Sequence, residues 1–413
     1  MQRQDFPRVL AAESVSNFGS MLSRLTIPFL AALQLQATPA QMAALLVADV
    51  VAGAVGSLWL GSLIDRHGKR AVMLLADGLR CALLAALALA AWVGVVNMLL
   101  LVLASAASGL LTVAFELARS AWVAQRVADA DLPRRNAQLS VAGSLSETAA
   151  FAIGGWLYQG LGAALSLAVD ALSYALSALC LRGVAEVRAA PAERGPVQSA
   201  WQALRQDVAV GLRAIAERPL LRALVTVEAL LGFSMALTGT AYMIYVTRDV
   251  ALPTGPMGMI AALGALGAVA GASLAPRLGR TLGAGWTMAL GLSAFAIGAA
   301  CIPMAPVANG AEGLAWATVA WLVAHQIVGD AGHVLHDVHD RTLRQTAVPD
   351  ALLARVDAGI RSAGQLSTLA GAVAGGAIGS ATDARTVLWL AAAVAAAAAG
   401  VAAVCLSAYR PGE

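Results

Sequence analysis

The segment Gly61-Ser62-Leu63-Ile64-Asp65-Arg66-His67-Gly68-Lys69-Arg70 stands between two apolar runs, each long enough to cross a bilayer. That placement restricts the fold more than any other feature of the chain. Lipid offers a backbone no water, so both flanking runs must be helices, and the chain between them must turn sharply. Glycine permits positive φ and close backbone approach at such a turn. Asp65 and Arg66 can pair with each other or with neighbouring helices, whereas Lys69 and Arg70 mark a cytoplasmic face. A generic positive-inside hairpin would account for Lys69 and Arg70 but not for the placing of Gly61, Asp65 and Gly68.

The rest of the chain agrees. With 59% hydrophobic residues, 12% charged residues and a mean hydropathy of +0.75, a soluble globular chain is excluded. At about 20 apolar residues per span, the length accommodates about twelve spans. Apolar runs read against breakers place them at 7–35, 40–64, 71–94, 97–126, 135–159 and 162–183, then at 219–247, 255–277, 283–304, 313–343, 352–379 and 384–408. The net charge of +3 does not indicate nucleic-acid binding, because the basic residues lie in alternate loops. Arg66/Lys69/Arg70, Arg126/Arg134/Arg135, Arg277/Arg280 and Arg341/Arg344/Arg355 fall on one side with both termini. The opposite loops, around Thr38-Pro39, Val96-Asn97, Gly160-Leu161 and Pro303 to Glu312, are almost free of basic residues, which predicts cytoplasmic termini. The basic residues are arginines apart from Lys69, and with the excess of Ala and Gly this suggests a high-GC bacterial gene. The four cysteines have neither pairing nor metal spacing and read as small core hydrophobes.

Residues 184–218 interrupt the hydrophobicity with mixed Arg, Glu and Asp. Trp201, Leu204, Val208, Leu212 and Ile215 recur at helical spacing, so an amphipathic surface helix is predicted there. The halves on either side echo each other. Gly143-Ser144-Leu145-Ser146 and Gly154-Gly155 align with Gly364-Gln365-Leu366-Ser367 and Gly375-Gly376, and Leu63 to Lys69 has a degenerate counterpart in Leu274 to Arg280. The expected organisation is a six-helix bundle over 1–183, a cytoplasmic linker over 184–218 and a second six-helix bundle over 219–413.

The 61–70 segment resembles the signature loop between helices 2 and 3 of the major facilitator superfamily, Gly-x-Leu-x-Asp-Arg-x-Gly-Arg/Lys-Arg. Ser16-Asn17-Phe18-Gly19-Ser20 with Arg24, Leu132-Pro133-Arg134-Arg135-Asn136-Ala137, and Val169-Asp170-Ala171-Leu172-Ser173-Tyr174-Ala175 resemble the branch that includes the enterobactin exporter and the transmembrane secretion effectors. The resemblance implies an all-α membrane protein with twelve transmembrane helices in two pseudo-symmetric halves. It implies a monomeric, multi-pass protein of the bacterial inner membrane that exports a small molecule such as a siderophore or drug against proton entry. No cofactor beyond the proton gradient is implied, and the partners are the small-molecule substrate and the lipid bilayer. Within this family the signature loop, Gly61, Asp65, Arg66, Gly68, Lys69 and Arg70, acts as a conformational switch, with Asp65 facing helix 11 and Arg66 reaching an acid such as Glu116.

Charges inside apolar spans require a partner or a wet cavity. Candidates for a substrate cavity are Arg24 on helix 1, Asp49 on helix 2, Glu116 and Arg119 three apart on helix 4, and Tyr242 and Tyr245 on helix 7. Glu13, Glu147 and Glu228 are further candidates for proton coupling. Asp170 on helix 6 reads as structural. Helix 10 is unusual: four of the five histidines fall there, and Asp330, His333, Asp337, Arg341 and Arg344 share one stripe at 100° per residue. A His–carboxylate chain can hold or relay protons, since imidazole titrates near neutrality. Proton coupling through Asp330 and His333 is the first reading. A structural stripe is the second, and a metal site formed by Asp330, His333 and Asp337 the third. An intact signature loop argues against a non-transporting sensor or scaffold, and no nucleotide loop or catalytic triad appears.

Overall fold

The computed structural model describes residues 5–187, 210–211, 213–307 and 316–407; within these, the side chains of 57–59, 61–63, 65, 66, 129, 350 and 351 are not described. The described residues form long helices and no strand. They are α1 (Asp5–Phe29), α2 (Pro39–His67), α3 (Lys69–Val93) and α4 (Met98–Arg126). A stretch Leu132–Leu181 follows, broken at Gly162 (φ 74°, ψ 178°); its arms before and after that residue are α5 and α6. Then come α7 (Pro219–Ile244), α8 (Thr254–Leu282), α9 (Ala284–Met304), α10 (Trp316–Ala347), α11 (Asp350–Ala381) and α12 (Ala384–Cys405). The predicted linker helix lies mostly outside the described residues. Its end is helical over 213–217, with Ile215 buried.

Eight of the helical stretches are long and apolar enough to cross a membrane. The others, α1, α10 and α11, carry several polar and charged residues. Leu89, Trp92, Leu99, Leu145, Leu172 and Val404 are exposed on the outer faces, a surface that only lipid satisfies. Cores form where small residues let helices approach: Gly267 and Gly271 of α8 lie against the backbone of Ile327 and Ala331 on α10, leaving no room for a side chain.

The chain divides into two compact units, one of residues 1–192 with 252–262 and the other of residues 193–251 with 263–413. In the first, Phe6, Val9, Met73, Phe115 and Trp122 centre the core. In the second, Leu221, Leu224, Met288, Leu292 and Ile360 do. The backbone repeats itself: α1 ends in a π-helical turn, Leu30–Gln34, and α7 ends in another, Tyr245–Asp249. Gln36 (φ 50°) and Ala251 (φ 56°) follow them at matching places. Gly68 (φ 89°) joins α2 to α3 as Gly283 (φ 82°) joins α8 to α9. The expected counterpart of the signature loop, aligned on Gly279, is therefore shifted by four residues, because α8 continues to Leu282 and only Gly283 has the required φ.

Candidate functional site

The turn between α2 and α3 is tighter than its sequence suggested. Gly61 is helical, as are Asp65 and Arg66, and α2 runs to His67; the side chains of Asp65 and Arg66 lie outside the described residues. A single residue, Gly68, makes the turn. Its N–H closes α2 on Ile64 O (3.2 Å) and its carbonyl opens α3 by accepting from Val72 N (3.1 Å). Into this turn comes Glu186, which no local pattern singles out. Its carboxylate accepts from Arg70 N and Ala71 N, each at 3.0 Å, and so caps α3 at the end where the dipole favours an anion. In return Arg70 donates from Nε to Leu181 O (2.9 Å) and from Nη2 to Arg182 O, satisfying the end of α6. Lys69 N donates to Val187 O (3.1 Å), Trp122 Nε1 to Ala185 O (3.0 Å) and Arg8 to Gly183 O (2.7 Å). Residues 181–187 are thus clasped to the signature turn.

Deeper in the first unit lies a buried charged cluster that the sequence reading missed. Arg80 of α3 donates to Asp77 (2.6 Å) and to Ser16 of α1 (3.1 Å). Its guanidinium lies 4.9 Å from the ring centre of Phe115 and 4.4 Å from that of Tyr174. Asp77 also accepts from Ser177 of α6 (2.6 Å) and Ser16 (3.3 Å). Beside them Asp170 accepts from Ser23. Asp77 and Asp170 are fully buried and Arg80 is 2% exposed. The available signal was an Asp–Arg pair three residues apart within an apolar span.

Arg119 of α4 pairs with Glu13 of α1 at 2.9 Å, not with its helical neighbour Glu116, which is exposed. Both members are partly open, at 17% and 15% exposure. Asp49 of α2 lies against Gly109 of α4 and within electrostatic reach of Arg24, which is exposed. Glu147 on α5 is exposed and forms no ion pair among the described residues. Asp49 and Arg24 thus come near each other, Glu13 joins Arg119, and Glu147 stands apart.

In the second unit three residues of the α10 stripe, Asp337, Arg341 and Arg344, border a cavity of about 450 Å³ lined also by Glu228, Gln345, Asp357 and Arg361. Arg341 pairs with Asp337 (2.9 Å). Arg344 pairs with Asp340 and reaches Asp357 of α11 (3.2 Å). His333, one turn before Asp337, packs on Phe295 (5.9 Å between ring centres) and lies within electrostatic reach of Asp337 and Glu228. Its Nδ1 is buried without a hydrogen-bond partner among the described residues. Asp330 and Gln326 crowd Gly264 of α8, where any side chain would collide with the Asp330 carboxylate. Tyr242 of α7 faces His325 (5.9 Å) and feels the charge of Asp330. Tyr245 is fully buried and donates to Ala305 O (2.9 Å). Among the described residues no group of three or more His, Cys, Asp or Glu side chains could hold a metal ion, and Asp330, His333 and Asp337 are not brought together as one.

The sequence model of the Major Facilitator Superfamily matches residues 9–335. No curated protein matches the sequence. The fold is similar to that of a bacterial homologue of the iron transporter ferroportin in its inward-facing state, with TM-score 0.75, 16% identity, and coverage of 99% of this chain and 100% of that one. It is similar to the nucleoside transporter NupG, with TM-score 0.74, 14% identity, and coverage of 99% and 100%. It is also similar to a bacterial metal transporter, with TM-score 0.70, 18% identity, and coverage of 98% and 99%.

Proposed function

The chain belongs to the Major Facilitator Superfamily, and on that premise we propose that it exports a small organic molecule, such as a siderophore or drug, in exchange for protons. It is an integral membrane transporter rather than an enzyme. In this reading all twelve helices span a bacterial inner membrane as two six-helix halves, 1–183 and 219–413. The 184–218 linker and both termini lie in the cytoplasm, as the arginine distribution supports. The protein works as a monomer by alternating access, with the signature turn as its conformational switch.

One observation carries the proton reading: the wet, charged cavity of the second unit adjoins His333, and His333 stands one turn from Asp330 on the same helix face. A proton arriving among Glu228, Asp337 and Arg341 meets an imidazole with a free nitrogen and then a carboxylate crowded by α8. Neutralising that carboxylate changes the charge enclosed by α7, α8 and α10. It shifts the balance of two access states by the difference in proton affinity between them, without which no coupling arises. The Glu13–Arg119 pair is the equivalent exchangeable pair of the first unit.

Asp330→Asn should abolish uptake driven by an imposed pH gradient in inverted membrane vesicles, with a cationic dye and a catechol siderophore as probes. A loss of about tenfold or more is expected, the effect of removing a proton-transfer group. Binding of the same probe, followed by fluorescence, should persist. Gradient-driven uptake at the wild-type rate defeats the coupling role. Loss of saturable zinc or manganese binding by calorimetry in both Asp330→Asn and His333→Ala would favour a metal cargo instead.

A further inference from the structure

Two carboxylates, Asp77 and Asp170, and one guanidinium, Arg80, are enclosed in the first unit with exposures of 0%, 0% and 2%. The neighbouring Glu13 is already balanced by Arg119 at 2.9 Å. If both aspartates are ionised, the enclosure holds one uncompensated negative charge, which burial among apolar helices does not tolerate. One further positive charge must therefore reside there.

Hydrogen bonding identifies where. Asp77 accepts from Arg80, Ser16 and Ser177, and three donors, one of them charged, suit an ionised carboxylate. Asp170 accepts one hydrogen bond, from Ser23 to Oδ2. Its Oδ1 is buried with no hydrogen-bond partner among the described residues and pressed against Gly19, where even a Cβ would collide with it. The Ser173 hydroxyl donates to the Asp170 backbone carbonyl at 2.7 Å, so towards the carboxyl it can only accept. An anionic oxygen left without a donor is costly, whereas a neutral carboxyl in the same position is cheap. The environment separates two acids that share a site, as it does in paired-carboxylate enzymes.

We propose that Asp170 is a proton-binding site of the first unit, carrying a proton at neutral pH while Asp77 remains ionised against Arg80. Ser23 of α1 donates to Oδ2 of this carboxyl on α6, and the proton keeps the enclosure neutral. Release of the proton leaves two anions facing one arginine. The groups facing the site are Glu13 on α1, Asp77 and Arg80 on α3, Arg119 on α4 and Tyr174 on α6. The proposal does not depend on the roles given above to Asp330 and His333.

Infrared difference spectroscopy on the full chain in lipid nanodiscs tests it. Wild type minus Asp170→Asn at neutral pH should show one carbonyl stretch of a protonated carboxylic acid. Ser23→Ala should move that band to higher frequency by removing its hydrogen bond. A difference spectrum showing an ionised carboxylate overturns the proposal, as does a band that Ser23→Ala leaves in place. Sodium-dependent stability without a protonated band overturns it in favour of a metal cation. Thermal unfolding provides a second check. The folded state holds a proton that the unfolded state releases, so stability should fall as pH rises. Asp170→Asn should lose this slope, and an unchanged slope in that variant refutes the proposal.

Discussion

The cluster around Arg80 and the stripe along α10 both place charged residues on long helices, yet the fold treats them in opposite ways. Arg80 is enclosed by four helices, hydrogen-bonded on two sides and held over two aromatic rings. Arg341, in contrast, is 68% exposed and its partner Asp337 39% exposed, on the border of a cavity. A buried charge must find its partner within the protein, and its chemistry is then fixed by geometry. A cavity-lining charge is solvated, and remains free to exchange partners with a proton or a solute. The difference separates a part that organises the first unit from a part suited to traffic in the second.

The largest effect expected from this contrast is at Asp77. Asp77→Ala removes the carboxylate from Arg80 and leaves a guanidinium buried with only hydroxyl partners, a loss of about 3–5 kcal/mol. Thermal unfolding in detergent, together with yield, should report it. A loss below about 1 kcal/mol, the range of exposed pairs, would mean that the cluster is wetter than its burial implies and would erase the distinction.

Spans were largely legible because membrane helices advertise themselves by length and hydropathy. The predicted 97–126, 219–247 and 283–304 lie close to Met98–Arg126, the Pro219–Ile244 helix with its π-helical turn, and Ala284–Met304. The loop read at Gly160-Leu161 corresponds to the break at Gly162. The stripe of α10 followed from angular arithmetic on one helix. Contacts between distant segments did not. Nothing local marks Glu186 as the cap of α3, because its partners lie 116 and 115 residues away. Glu116 lies three residues from Arg119 on the same helix, yet the partner of Arg119 is Glu13 on α1, which local spacing does not show. Asp170 reads as structural in the sequence, whose local pattern does not show that Arg80 shares its enclosure.

An intermediate effect sharpens the comparison at the repeated turns. Gly68 and Gly283 have nearly the same positive φ, so alanine at either position should cost about 1–3 kcal/mol in backbone strain. Gly68 has a carboxylate against it, since a Cβ there would lie 2.7 Å from Glu186 Oε1. Gly68→Ala should therefore be the more damaging substitution and should also release residues 182–187, seen as faster hydrogen exchange at Arg70 and Ala71. Glu186→Gln should reproduce the exchange change with a smaller stability loss, about 0.3–1 kcal/mol, the worth of an anion at a helix N-terminus. Equal losses at the two glycines would show that the clasp contributes nothing beyond the shared turn.

The smallest effect is expected where the charge density is highest to the eye. Asp337→Asn removes the partner of Arg341, but both side chains are largely open, so the pair should contribute about 0–1 kcal/mol and the unfolding temperature should barely move. The charge change should instead appear in transport, because Asp337 lines the cavity beside His333. Added salt should weaken this transport effect, since an accessible charge is screened over about 10 Å at 0.1 M ionic strength. A large loss of stability with unaltered transport would reverse the assignment, making the stripe a structural element like the cluster around Arg80.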